Sequence, residues 1–133
     1  MNTRTYSLTI PAPKSRVFAY LADIENLPQW ATSFCQQLET IGGQHWVTTP
    51  TGKVLCEIRA HAGTGTVDFL AGPSADQMTR FPARVLDLPG GESLYLFTSL
   101  QTPDVSDEAF EAQAADVQDE FENILRAVSP VHA

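Results

Sequence analysis

The chain has 133 residues, 43% hydrophobic and 18% charged, with a formal net charge of −8. That length suits one domain spanning residues 1–133 with one sizeable core, and no run approaches the roughly 18 apolar residues needed to cross a bilayer. A negative field repels phosphate backbones and anionic lipid surfaces, so neither nucleic-acid binding nor stable membrane association is expected.

The charge is unevenly placed. Eight acids lie between Asp104 and Glu122 with no Lys or Arg among them, while the rest of the chain balances eight acids against eight bases. At the other end, Met1-Asn2-Thr3-Arg4-Thr5 enters a strand pattern almost at once, leaving no room for an apolar signal region, and the expected compartment is the cytoplasm. Cys35 and Cys56 have no CxxC partner and sit in strand-like runs. They read as reduced, buried thiols.

Taken in order, Thr5 to Ile10 alternates as a strand, and Pro11-Ala12-Pro13 leads into a short amphipathic helix from Lys14 to Ala22. An aromatic-ended turn follows, Asp23-Ile24-Glu25-Asn26-Leu27-Pro28-Gln29-Trp30. Turn residues such as Gly42-Gly43, Gly63-Thr64-Gly65 and Pro89-Gly90-Gly91 then divide the middle into six more strands. These run from Ser33 to Ile41, His45 to Thr49, Val54 to His61, Thr66 to Leu70, Gln77 to Leu88 and Ser93 to Leu100. Connections this short hold no crossover helix, so the sheet is antiparallel. Alternation places Val54, Cys56, Ile58 and Ala60 on one face, with Leu55, Glu57, Arg59 and His61 on the other.

From Phe110 the period changes. Phe110, Ala114, Val117, Phe121, Ile124, Leu125 and Val128 step by threes and fours, which confines them to one stripe of a helix. Ser106 is its N-cap, Asp107 and Glu108 face the positive end of its dipole, Arg126 stands near its C-terminus and Pro130 lies just beyond. The helix is about 22 residues, or roughly 33 Å. Most of its acids, including Glu108, Glu111, Asp119 and Glu122, fall on the opposite arc, so the acidic run reads as the solvated back of the helix. A sheet with one apolar face and a helix with one apolar stripe bury each other, a two-layer α+β arrangement.

The blocks Val17-Phe18-Ala19-Tyr20-Leu21-Ala22-Asp23, Asn26-Leu27-Pro28-Gln29-Trp30-Ala31-Thr32-Ser33-Phe34-Cys35 and Val105-Ser106-Asp107-Glu108-Ala109-Phe110 resemble the Bet v 1-like, or START/polyketide-cyclase (SRPBCC), superfamily. Within it they are similar to small bacterial polyketide cyclase/dehydrase-like members. The resemblance covers essentially the whole chain and implies a helix-grip fold: a seven-stranded curved antiparallel sheet around the long C-terminal helix, with two short helices after the first strand. It also implies a ligand cavity between sheet and helix. The residues expected to line that cavity are Trp30, Phe34, Cys56, Ile58, Val67, Phe69, Leu94, Leu96, Thr98, Phe110, Ala114, Val117 and Phe121.

Reactive groups are few. His45, His61 and His132 lack the spacing of a zinc or iron site, so no metal and no cofactor is expected. Asp68 would be a candidate general base if it faced the cavity, but alternation turns Val67 and Phe69 inward and leaves Asp68 on the convex face opposite Arg59. Arg80 and Arg84 could clamp a ligand carboxylate from inside. With Phe81, Ala83 and Val85 on the buried side, however, they belong outside. Three functions stand open at this point: a carrier or sensor for a small hydrophobic or aromatic molecule, a polyketide cyclase/dehydratase-type enzyme acting on a poly-carbonyl substrate, and a co-chaperone-like protein-binding module that docks through the acidic helix back. Nothing in the pattern excludes a homodimer.

Overall fold

The computed structural model describes residues 1–130 of the chain, and His132 lies outside them. Eight strands form one antiparallel sheet: β1 (Thr3–Ile10), β2 (Gln37–Ile41), β3 (Gln44–Thr49), β4 (Gly52–His61), β5 (Thr66–Gly72), β6 (Thr79–Phe81), β7 (Ala83–Asp87) and β8 (Ser93–Leu100). Their spatial order is β1-β8-β7-β5-β4-β3-β2, with β6 paired to β5. Two short helices, α1 (Lys14–Ala22) and α2 (Leu27–Trp30), follow β1, and the long helix α3 (Asp107–Val128) closes the chain. No helix among the described residues is long and apolar enough to cross a membrane.

The single strand expected over Gln77 to Leu88 is two. Pro82 has no N–H to give a ladder, so β6 pairs with β5 and β7 pairs along its length with β8. The carbonyl of Pro82 is still used, accepting the Thr98 N–H at 2.9 Å. The strand expected from Ser33 begins only at Gln37. Before it the chain makes a turn in which the N–H groups of Phe34 and Cys35 both donate to the Ala31 carbonyl, at 3.1 and 2.7 Å. That turn is what leaves the 31–36 segment free to lie against α3.

Helix α3 begins as its sequence dictates, with the Ser106 hydroxyl accepting the Ala109 N–H at 3.1 Å. Its stripe of Val117, Phe121, Ile124 and Val128 packs into one cluster with Ile10 of β1, Val17 and Leu21 of α1, Leu27 and Trp30 of α2, and inward residues of the sheet. The sheet contributes Val47, Cys56, Val67, Phe69, Ala83, Val85 and Tyr95.

The outer face of the sheet is not uniformly wet. Leu55, grouped by alternation with the exposed residues, is only 4% exposed, and Leu70 is also buried. The cause is the segment after β5. A Cβ at Gly72 would stand 2.0 Å from the Gln77 carbonyl oxygen, so residues 73–78 fold back across the outer face where Gly72 pairs with Leu55.

Candidate functional site

The space between sheet and helix is lined mainly by aromatic rings. Tyr6 and Tyr95 flank Phe121 at centroid distances of 6.5 and 5.6 Å, and Trp30, Phe69 and Phe97 form a second series at 5.6 and 6.2 Å. Tilted and edge-to-face pairs of this kind are favourable beyond the area they bury. The resemblance led to the expectation of a cavity here, and in the structure these rings meet in that space. Two clefts of about 460 and 420 Å³ lie elsewhere, at the junction of β1, the end of β8 and the start of α3, around Asn2, Gln101 and Phe110.

Polar atoms are present among the rings: Tyr6 Oη faces the Arg4 guanidinium, whereas Trp30 Nε1 and Tyr95 Oη have no hydrogen-bond partner. Tyr95 is fully enclosed, and burial drives its hydroxyl far above the usual tyrosine range, with a further push from the Glu120 charge. Beside this interior the Glu120 carboxylate accepts the Phe34 N–H at 3.2 Å. Burial pushes Glu120 up to about 7, the Phe34 and Ser33 N–H groups pull the other way, and Asp116 and Asp119 add to the rise. One turn later Asn123 Nδ2 donates to the Trp30 carbonyl at 3.1 Å and to Thr32 Oγ1 at 3.0 Å. Side chains of α3 therefore fasten the segment from Trp30 to Phe34 over one end of the interior.

The two cysteines are free and buried, as read from the sequence. Burial pushes Cys56 up to about 12, and Cys35 is also raised, first by burial and then by Glu120. Thiols held this firmly protonated are poor nucleophiles. Among the described residues no group of three or more His, Cys, Asp and Glu converges on a common point.

This architecture, a curved antiparallel sheet, two small helices after β1 and a long C-terminal helix across the sheet, is found in solved structures. Ara h 8.0201 superimposes with a TM-score of 0.62 over 95% of this chain and 96% of that one, at 17% identity. The Zhui aromatase/cyclase from Streptomyces sp. R1128 gives 0.71 over 95% and 92% at 13% identity, and the Aha1 dimer from Colwellia psychrerythraea gives 0.69 over 97% of each at 12%. The chain has the Bet v 1-like fold. No protein-family model matches the sequence, and no curated protein matches it.

Within this Bet v 1-like frame the expected lining divides into three groups. Trp30, Cys56, Val67, Phe69, Val117 and Phe121 join the central cluster, with Phe34 and Ile58 half-buried against it and Ala114 half-buried on the same helix stripe. Leu94, Leu96 and Thr98 are corrected. On β8 it is Ser93, Tyr95 and Ser99 that are buried, so alternation turns Leu94, Leu96 and Thr98 to the outer face, where Thr98 Oγ1 pairs with Thr5 Oγ1 at 2.8 Å. The expectation placed the greasier residues inside, but the true inward set is Ser-Tyr-Phe-Ser. Phe110 is also corrected: it is buried outside the central cluster, beneath the Arg4 guanidinium at 5.7 Å, where it lines the smaller of the two clefts.

Asp68 faces outward as expected, in register with Arg59, yet its ion pair is with Arg80 at 2.7 Å. Arg59 instead lies 3.3 Å from Glu57. Arg84 donates to the Thr64 carbonyl, the exposed His61 ring accepts the Thr64 N–H, and His45 contacts Thr40 at 3.0 Å. The residue that sequence reasoning passed over is Glu120. Counted with the acids of α3, it stands three after Val117 and four before Ile124, a spacing that sets it on the flank of the buried stripe.

Proposed function

We propose that this protein binds a small hydrophobic or aromatic molecule between the sheet and α3, in the manner of a carrier or sensor. The observation that carries the reading is the pair of buried polar atoms without partners, Trp30 Nε1 and Tyr95 Oη, among the aromatic rings. Leaving such a group unpaired costs about 1–3 kcal/mol, and native interiors rarely do so without a reason. A ligand with an apolar body and a hydrogen-bonding atom meets both needs, since rings supply contact area and a few polar groups fix orientation. Access comes from parting the rings and the segment that Asn123 and Glu120 fasten. The neighbours in fold point in two directions, one of them an aromatase/cyclase. The enzyme reading loses weight because Asp68, Arg80 and Arg84 stand on the outer face, engaged with one another or with Thr64.

The test is native mass spectrometry of the purified protein, paired with titration of a fluorescent hydrophobic probe. A co-purified small molecule, or one saturable probe site whose occupancy changes Trp30 emission, is the expected result. No co-purified mass together with no saturable site overturns the reading.

A further inference from the structure

Glu120 stands half-buried at the edge of the interior, with no counter-charge beside it. It takes part in none of the four ion pairs among the described residues, and its carboxylate meets neutral backbone N–H groups, those of Phe34 and Ser33. The groups that face it are Asp116 and Asp119 on its own helix, the Cys35 thiol on the segment before β2 and the Tyr95 hydroxyl on β8. Two of these are anionic and two neutral. A carboxylate drawn partly out of water without a cation is destabilised, and the chemical group that offsets this is one carrying positive charge. Trp30 Nε1 and Tyr95 Oη, on residues 5% and 1% exposed, are a second and independent sign of a ligand, because neither has a partner. Their rings also offer π faces of the kind that attract an organic cation.

We propose that the molecule held between sheet and helix is a lipophilic amine, its ammonium set against Glu120 and its aromatic or apolar body among Trp30, Tyr95 and Phe121. This rests on the ligand-binding reading above and narrows it to one charge class. Because an indole N–H can only donate, the body carries an acceptor such as an ether oxygen to meet Trp30. The amine brings a pH signature. It remains charged below pH 8, while Glu120, pushed up to about 7 by burial, must give up its proton to receive it. Affinity therefore falls as pH drops below 7, by up to about tenfold per unit.

The experiment is a pair of calorimetric titrations with 5-methoxytryptamine and its neutral counterpart 5-methoxytryptophol, between pH 5 and 8. The expected result is at least about tenfold tighter binding of the amine at pH 8, a preference that shrinks with falling pH and disappears in Glu120→Gln. Exposed Glu108→Gln keeps it. Equal affinity for the two probes at pH 8, or a preference that survives in Glu120→Gln, overturns the amine assignment and leaves ligand binding standing. Absence of saturable binding by either probe overturns both. The wild-type profile suffices even if Glu120→Gln fails to fold, since an amine-to-alcohol ratio independent of pH also overturns the assignment.

Discussion

On the outer face of the sheet Asp68 is only 8% exposed, yet both of its oxygens are used, one by Arg80 at 2.7 Å and the other by the Ala83 N–H at 3.2 Å. On the inner face Trp30 and Tyr95 present polar atoms with no partner, and half-buried Glu120 stands at its edge, near Tyr95, without a cation. Both regions bury polar groups, but only one satisfies them. A paired buried carboxylate costs the fold little once its partners are in place, whereas an unpaired group lowers stability with nothing in the fold to offset it. The difference separates scaffold from recognition. Asp68 splints the break at Pro82 by holding β6 through Arg80 and β7 through Ala83, while the inner groups are free to meet something else.

The largest effect expected on this contrast is at Asp68. Replacing it by Ala strands the Ala83 N–H and releases Arg80, and denaturant unfolding should show a loss of about 2–3 kcal/mol. The half-exposed Arg80 can rehydrate, which keeps the loss below that of a fully enclosed pair. Probe binding should be retained. A variant of unchanged stability that no longer binds the probe would mean that the outer face belongs to the site.

Smaller in size, and opposite in kind, is the pH dependence set by Glu120. Its value in the folded protein, about 7, stands above the ordinary 4.5. A raised value means that the folded state holds the proton more tightly, so this contribution is fully present below pH 4.5 and is lost as pH rises through 7. Unfolding measured from pH 4.5 to 8 should therefore show stability falling by about 1–2 kcal/mol from this group, after allowance for its partial contact with water. Glu120→Gln should flatten the profile over that window. A wild-type profile that rises there instead would show that Glu120 has found a cation.

Much of this was legible from periodicity. The bounds of α1, β8 and α3, the outward direction of Asp68, Arg80 and Arg84, and the inward direction of Val67 and Phe69 all follow from spacing and alternation. Three features were not. Alternation cannot say which of two faces is inside when both carry apolar residues, and on β8 the leucines went out because Tyr95 pairs with Leu8 and Val85 on the inner face. The break at Pro82 was masked because Phe81, Ala83 and Val85 alternate as if continuous across it, which hid the missing N–H of the proline. Glu120 was hidden by its company: seven other acids in the segment favoured a wholly solvated face, and only its position relative to Val117 and Ile124 marked it as different.

The smallest expected effect is the sharpest test of the contrast. Tyr95→Phe removes a hydroxyl that has no partner, strands nothing when it goes and relieves the cost of enclosing it, so thermal unfolding should show stability unchanged or raised by about 1 kcal/mol. The phenyl ring keeps its place against Phe121, so the packing contribution stays. Binding of a hydrogen-bonding probe such as 5-methoxytryptophol should nevertheless weaken several-fold, while a purely hydrocarbon probe should not notice the change. A loss of more than about 1 kcal/mol in stability would mean that the hydroxyl is satisfied within the free protein, by a bound water for instance. Tyr95 would then be a paired buried group like Asp68, and the difference between the two faces would no longer mark one of them as the binding side.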